Sequence, residues 1–223
     1  GPGDVQWMTA GSGVVHSELP DAEFQARGGM MNGFQVWVNL PAKDKMMKPR
    51  YQEFSGSKLP AVQSPDGKAR VKIIAGESLG KKAVIETRTP ILYLHITLRP
   101  GGVLDQPIPS EFNACAYVIS GKVLAGEENQ GASAGDLALF GKGDRVRLAA
   151  DGGEAGVILL GGKPLNEPVS RYGPFVMNTP EEIEQAIADY QAGRMGAIPG
   201  TILRIFRPPA PSPCLGEHTS AVL

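Results

Sequence analysis

Glycine and proline interrupt this chain at short intervals, and these interruptions restrict its possible folds more than any other feature. The sequence holds 29 glycines and 19 prolines among 223 residues. That is more than one residue in five, against an ordinary combined share of about 12%. Glycine does not recur at every third position, which excludes a collagen-like chain. Breaks this frequent leave room for short elements joined by tight turns, which favours an all-β domain.

The segments between the breaks carry β-type patterns. Alternate apolar residues from Phe34 to Leu40 predict a strand that ends at Pro41. Strands of this length and spacing, without long helical patterns between them, are typical of a sandwich or barrel. The further predicted strands lie at 71–74, 83–88, 91–98, 114–119, 123–124, 137–140, 146–148 and 157–160.

One helix is predicted late in the chain, over residues 180–192. The run Thr179-Pro180-Glu181-Glu182 has the residue order of a capping box, with Pro at the first helical position. An apolar stripe at helical spacing follows, and Gly193 ends the pattern, so a helix docked on a barrel is expected. From residue 199 to 223 the chain becomes rich in Pro, Ser and Thr, which predicts a disordered tail.

Charge and cysteine content exclude several classes of protein. Lys and Arg total 22 against 23 Asp and Glu, a net charge of -1. Such a chain has no overall field to attract a phosphate backbone, so direct nucleic-acid binding is disfavoured. Cys115 and Cys214 can form neither a disulfide framework nor a CxxC zinc site. No run approaches the roughly 20 apolar residues that cross a bilayer, and no signal peptide opens the chain. An intracellular protein that does not bind membranes is therefore expected.

Two Gly-Asp pairs form a short internal repeat, which is called the echo below. Gly3-Asp4 and Gly135-Asp136 stand 132 positions apart, and each leads into an apolar segment. A Gly-Asp turn before a strand is common, so the echo alone is weak evidence. With β-type patterns around both copies, it suggests two related barrel modules in tandem.

The three histidines are the main candidates for site chemistry. His16 and Glu18 stand two residues apart, so on a strand both side chains lie on one face. An imidazole and a carboxylate suit Fe(II), Mn(II), Ni(II) or Zn(II), but two ligands leave most of the shell unfilled. On pattern alone a strand histidine paired with a carboxylate is the simpler interpretation. His95 reads as a half-exposed strand histidine, and His218 has no partner near it in sequence.

No other catalytic signature is present in the sequence. Gly11-Ser12-Gly13 lacks the lysine of a phosphate-binding loop and the frame of a nucleophile elbow. Neither cysteine has a histidine close to it in sequence.

Several longer motifs resemble the signature of the pirin family. They are residues 3–18, 35–40, 89–93, 106–109 and 173–179, and the likeness runs from Gly1 to about Pro199. The resemblance implies a bicupin, which is two β-barrels in tandem with a C-terminal helix packed back across them. On that basis 1–80 is expected to be the remainder of the N-terminal cupin domain, 81–198 the C-terminal one, and 199–223 the tail.

The same resemblance implies a metal site. In pirins three His and one Glu of the first barrel hold one iron, and His16 and Glu18 fall on the His-x-Glu pair. The family's HxH pair has no counterpart in this chain, and the second-barrel segments 105–109 and 140–144 contain no His. The implied cofactor is therefore Fe(II), weak or absent here. Glu18 is implied both as a ligand and as the candidate catalytic base.

Two functions follow from the resemblance, and they belong to different classes. One is an iron-dependent quercetin 2,3-dioxygenase, an oxidoreductase that acts on a flavonol-like small molecule. The other is a nuclear cofactor that contacts a transcription regulator or another protein, in the nucleus or the cytoplasm. Because the chain begins Gly1-Pro2-Gly3-Asp4 without Met, we expect an N-terminally truncated form. The prediction for it is an interaction module without dioxygenase turnover.

Overall fold

The computed structural model describes residues 1–16, 22–30 and 32–197, and strands predominate there. The helices are α1 Ala22–Arg27, α2 Ala42–Lys45 and α3 Pro180–Gln191. No helix of the described residues is long and apolar enough to cross a membrane. In chain order the strands are β1 Val5–Thr9, β2 Val14–Val15, β3 Arg50–Phe54, β4 Ala61–Gln63, β5 Ala69–Ala75, β6 Glu77–Ser78, β7 Lys81–Lys82, β8 Ile91–Leu98, β9 Val103–Pro107, β10 Asn113–Ser120, β11 Lys122–Ala125, β12 Gln130–Ser133, β13 Leu137–Phe140, β14 Arg145–Ala150, β15 Ala155–Gly162, β16 Ser170–Tyr172, β17 Phe175–Met177 and β18 Gly196–Ala197.

The chain divides into two compact units. The first joins Gly1–Trp7 to Gln52–Asn166, and the second joins Met8–Tyr51 to the described chain from Glu167 onward. Each unit thus combines segments from separate parts of the sequence. This spatial grouping does not test the predicted division at residue 80, which stays a prediction.

The first unit is built from two antiparallel sheets. One has six strands in the order β13-β10-β15-β8-β5-β4, and the other has four in the order β12-β11-β14-β9. The alternation predicted for 91–98 appears as β8, in which Leu92, Leu94, Ile96 and Leu98 are buried and the residues between them are half-buried. The buried face joins an apolar core that runs from Ala69 to Leu159 in sequence. This is the all-β architecture that the turn-and-strand pattern predicted, and it agrees with the cupin fold that the pirin resemblance implies.

A second, smaller apolar cluster belongs to the same unit. Leu59, Ile74 and Ile85 are buried in it, with Trp7 and Tyr93 packed against them. Ile73 belongs to the main core and Ile74 to this cluster, because consecutive residues of a strand project to opposite faces of the sheet. The pairing of β5 with β8 also shifts register between Ile73 and Ala75.

Two predicted strands are wrong. Within 34–40 only Trp37 makes a bridge, and Phe34 is 51% exposed. Residues 83–88 form no strand, with bends at 84, 85 and 88, and the Gln52 side chain bonds to the backbone there. Its Nε2 donates to the Glu86 carbonyl at 2.9 Å and its Oε1 accepts from the Glu86 N–H at 3.1 Å. An extended segment without a paired strand cannot build a ladder, whatever its local pattern.

The second unit contains the predicted helix. α3 covers Pro180–Gln191, and both hydrogen bonds of the capping box at Thr179 are present. Its apolar stripe buries Ile183, while Tyr190 meets Phe175 edge-on with the ring centroids 6.3 Å apart. The predicted tail, 199–223, lies outside the described residues.

Candidate metal centre

The chain presents His16 at the end of a tight turn in the second unit. Ser12 N–H donates to the Met47 carbonyl at 2.8 Å, and Gly13 N–H donates to Ala10 at 3.0 Å. Gly11 adopts φ +53° with its α-carbon against the Met47 carbonyl, where a side chain would collide with backbone. This glycine run is therefore a packing turn, in keeping with its lack of phosphate-loop or nucleophile-elbow residues.

The strand after this turn is short and leaves His16 in solvent. β2 pairs in parallel with β18, and the Gly196 N–H donates to the Gly13 carbonyl at 3.1 Å. His16 follows directly and is exposed. Glu18, its predicted partner as ligand and base, lies outside the described residues. The structure thus locates one member of the predicted pair.

The described residues do not complete an iron site. Among them, no group of three or more His, Cys, Asp and Glu side chains could hold a metal ion. An exposed imidazole by itself supplies too few ligands for a stable transition-metal site. Of the two donors that the pirin resemblance implies, the described residues therefore include only His16.

His95 lies in surroundings that disfavour a metal. It is half-buried on β8, directly opposite Lys72 of β5, and Arg70 lies nearby on β5. Burial lowers the pKa of His95, and the charges of Lys72 and Arg70 lower it further. Two cations beside an imidazole repel a metal cation as they repel a proton.

The first unit's interior offers no substitute site among the described residues. Gln106, on the β9 segment that the sequence marked as His-free, is 4% exposed. Its Oε1 accepts from the Ser78 hydroxyl at 2.6 Å, and its Nε2 donates to the Glu77 and Pro107 carbonyls at 3.1 and 2.9 Å. This buried amide is satisfied by protein groups, and the surrounding core is apolar.

Sequence reasoning missed a polar cluster in the second unit that is centred on Lys45. Lys45 is 5% exposed, and its Nζ donates to Asn39 Oδ1 at 2.7 Å and to the Val176 carbonyl at 3.2 Å. Burial lowers the pKa of Lys45, while Glu167 and Glu182 act in the opposite direction. Asn39 and Val176 belong to two of the motifs quoted for the resemblance, so these motif positions hold a structural cation.

Asn178 extends this cluster. Its Nδ2 donates to Glu167 Oε2 at 3.1 Å and to the Pro168 carbonyl at 2.9 Å. Glu167 also accepts from the Ala42 N–H at 2.7 Å, which ties α2 to the later segment of the same unit. A further motif residue, Trp37, stacks beneath the Arg171 guanidinium, 5.1 Å from the ring centroid. No sequence signal identified the pairs Lys45–Val176, Ala42–Glu167 and Trp37–Arg171, because each joins residues more than a hundred positions apart.

Two family models match the chain. The model described as the pirin C-terminal cupin domain matches residues 93–196, and the model described as pirin matches residues 1–38. The second match contains His16 and the turn that precedes it.

Similar proteins agree with both models. A pirin-like protein of Solanum lycopersicum is 46% identical over 196 residues, 87% of this chain and 65% of the relative. Pirin of Homo sapiens is 44% identical over 198 residues, 87% of this chain and 66% of the relative. The chain thus spans about two thirds of the length of the curated relatives it matches.

A solved structure shows the same fold. Quercetin 2,3-dioxygenase from Acinetobacter baumannii superposes with a TM-score of 0.79 at 32% sequence identity, covering 90% of this chain and 68% of that one. The sheet architecture, the two family models and these relatives agree with one another, and this chain belongs to the pirin family.

Proposed function

We propose that this 223-residue chain acts as a protein interaction module of the pirin type and does not by itself hold stoichiometric iron. One observation carries the proposal. The whole sequence contains three histidines, and only His16 stands beside a carboxylate in the motif that resembles the family's His-x-Glu pair. The exposure of His16, which leaves its side chain open to solvent, supports it.

The first unit is suited to the role of a protein interaction module. Its interior is filled with apolar side chains, so partner binding falls to its surface. On the edge strand β13, Leu137 is 50% exposed and Leu139 76% exposed. Apolar side chains on a sheet edge are suited to protein contacts. The partner class proposed is a transcription regulator or another protein in the nucleus or cytoplasm, with no direct contact to nucleic acid or membrane.

Metal analysis tests the first half of the proposal. The chain would be supplied with Fe(II) without oxygen, desalted, and its iron measured by mass spectrometry beside a His16→Ala variant. We expect far less than one iron per chain in both proteins. The matched control is His95→Asn. One iron per chain that survives in the control and disappears in His16→Ala would overturn the proposal.

Partner capture tests the second half. The tagged chain would be incubated with nuclear extract under reducing and oxidising conditions, beside Leu139→Asp and the control Val169→Asp. Val169 is 59% exposed and belongs to the second unit. We expect a defined partner to be retained by the control and lost with Leu139→Asp. Equal capture by both variants would contradict a role for β13.

A second candidate function concerns a longer protein that contains this segment. The A. baumannii structure with the matching fold is a quercetin 2,3-dioxygenase, which favours an iron-dependent dioxygenase as the alternative. In that protein His16 and Glu18 would join an HxH pair supplied from outside these residues. Oxygen uptake with quercetin by a form carrying the HxH motif, lost in His16→Ala, would support this alternative. The chain alone would still show no turnover.

A further inference from the structure

A basic depression lies on the outer face of the six-stranded sheet, away from the main core. It has a volume of about 130 Å³ and is lined by Arg70, Lys72, His95 and Thr97. Lys72 pairs with His95 and Arg70 pairs with Thr97 across β5 and β8. Side chains directly opposite one another on adjacent strands lie on the same face, about 5 Å apart at their β-carbons. The sheet register therefore brings four hydrogen-bond donors to one place.

The protein does little to offset the positive charges of Arg70 and Lys72 in this depression. Neither Arg70 nor Lys72 forms a salt bridge with any described residue. Lys72 Nζ donates to the Gly3 carbonyl at 3.3 Å. The charge of Lys72 acts on Asp4, whose pKa is lowered chiefly by a hydrogen bond with the Gly1 amino group, then by the Gly56 N–H, and least by Lys72. A positive charge is thus left over in the depression.

His95 adds a hydrogen-bond donor, and its protonation depends on the neighbouring charges of Lys72 and Arg70. Its pKa is lowered by burial first, then by Lys72 and Arg70, which favours the neutral imidazole. The side chain opposite it on β15 is Ile158, which is apolar. On its own strand face, Tyr93 has its pKa raised by burial and therefore stays uncharged at neutral pH. A neutral imidazole keeps one N–H donor, and its protonation would add a second donor and a further charge.

The volume and the donors together define the ligand. Pockets for drug-sized molecules measure about 300–1,000 Å³, so a 130 Å³ depression suits a small ion. Guanidinium, ammonium, imidazole and hydroxyl groups on one face donate hydrogen bonds to oxygen. We propose that the depression formed by Arg70, Lys72, His95 and Thr97 binds a divalent tetrahedral oxyanion such as sulfate or phosphate.

Binding and protonation of His95 are coupled at this site. A bound dianion offsets the charges of Lys72 and Arg70 and favours the imidazolium, so it raises the pKa of His95. By reciprocity, protonation of His95 tightens anion binding by the same factor. Sulfate affinity should therefore increase as the pH falls through the titration of His95. Sulfate is the cleaner probe, because phosphate itself takes up a proton near neutral pH.

The test follows the His95 ring signals by NMR between pH 5 and 8. Sodium sulfate would be titrated against sodium chloride of equal ionic strength, since plain screening also weakens the repulsion from Lys72 and Arg70. The variants are Arg70→Gln, Lys72→Gln and the pair together. The matched control is Lys122→Gln, on an exposed position of the other sheet. A second arm with O-phosphoserine distinguishes a free ion from a phosphoryl group carried by a larger molecule.

We expect saturable shifts with sulfate, with at least fivefold tighter binding to protonated than to neutral His95. The double variant should lose saturation, and Lys122→Gln should keep it. Binding of O-phosphoserine at equal or greater affinity would identify a phosphoryl group as the ligand, and weaker binding would identify the free ion. A sulfate response no larger than that to chloride, or one that persists in the double variant, would overturn the proposal.

Discussion

Lys45 shows what a single residue can contribute when its charge is buried. Only 5% of it reaches solvent, and burial lowers its pKa. The protein compensates with two hydrogen bonds, to Asn39 Oδ1 and the Val176 carbonyl, and with the nearby charges of Glu167 and Glu182. Removing the ammonium would leave these acceptors without their donor, and a buried unsatisfied acceptor is costly.

We predict that Lys45→Met lowers the free energy of unfolding by about 1–3 kcal/mol. The reason is that methionine keeps most of the side-chain volume and removes the donor. Lys43→Met is the matched control, because Lys43 is on the same short helix and exposed. Urea denaturation of the two variants checks the difference. Equal stability would show that the cluster around Lys45 contributes nothing to folding.

At the scale of elements, the start of α3 shows how side chains stabilise the end of a helix. The Thr179 hydroxyl accepts from the Glu182 N–H at 3.2 Å, and Glu182 Oε2 accepts from the N–H groups of Thr179 and Asn178 at 3.1 and 2.8 Å. Three N–H groups at the start of the helix are thus satisfied by two side chains. The acidic residues there also suit the positive end of the helix dipole.

We predict that Thr179→Ala destabilises the protein by about 1 kcal/mol, the usual cost of losing an N-cap. Thr179→Ser should keep most of the stability, since it retains the hydroxyl. Glu184→Ala, an exposed substitution on the same helix, is the control. Thermal unfolding followed by circular dichroism measures all three. A loss in Glu184→Ala as large as that in Thr179→Ala would argue against a capping effect.

At the scale of the whole molecule, apolar burial is unevenly distributed between the units. The main core draws its residues from the span between Ala69 and Leu159, all within the first unit. Among the described residues of the second unit, few apolar side chains are buried, and Ile183 is one of them. Because apolar burial is the largest stabilising contribution in folding, the first unit should resist unfolding longer.

We therefore predict that limited proteolysis leaves a resistant fragment covering about residues 52–166, the continuous part of the first unit. Cleavage should occur first in the segments of the second unit, since local opening is easiest where few apolar contacts are buried. Mass spectrometry of the early fragments identifies the cut sites. Early cleavage between residues 69 and 159, with the second unit intact, would contradict this order.

The features that the sequence predicted correctly depend on short-range patterns. The alternation of 91–98 and the capping box at Thr179 depend on neighbours within a few residues, and both appear as predicted. The shortage of histidines can also be counted without a structure. The family likeness rests on motifs of the same local kind, which is why the cupin fold could be inferred from them.

The remaining features of the fold and of the sites depend on residues distant in sequence. Only the tertiary structure decided them. Residues 34–40 alternate like a strand, but among the described residues they pair only through the single bridge at Trp37 and form no ladder. The Lys45 cluster needs an acceptor 131 positions away, and the basic depression needs β5 and β8 in one particular register. Local patterns follow from backbone sterics and the spacing of apolar residues, whereas sites arise where packing joins distant segments.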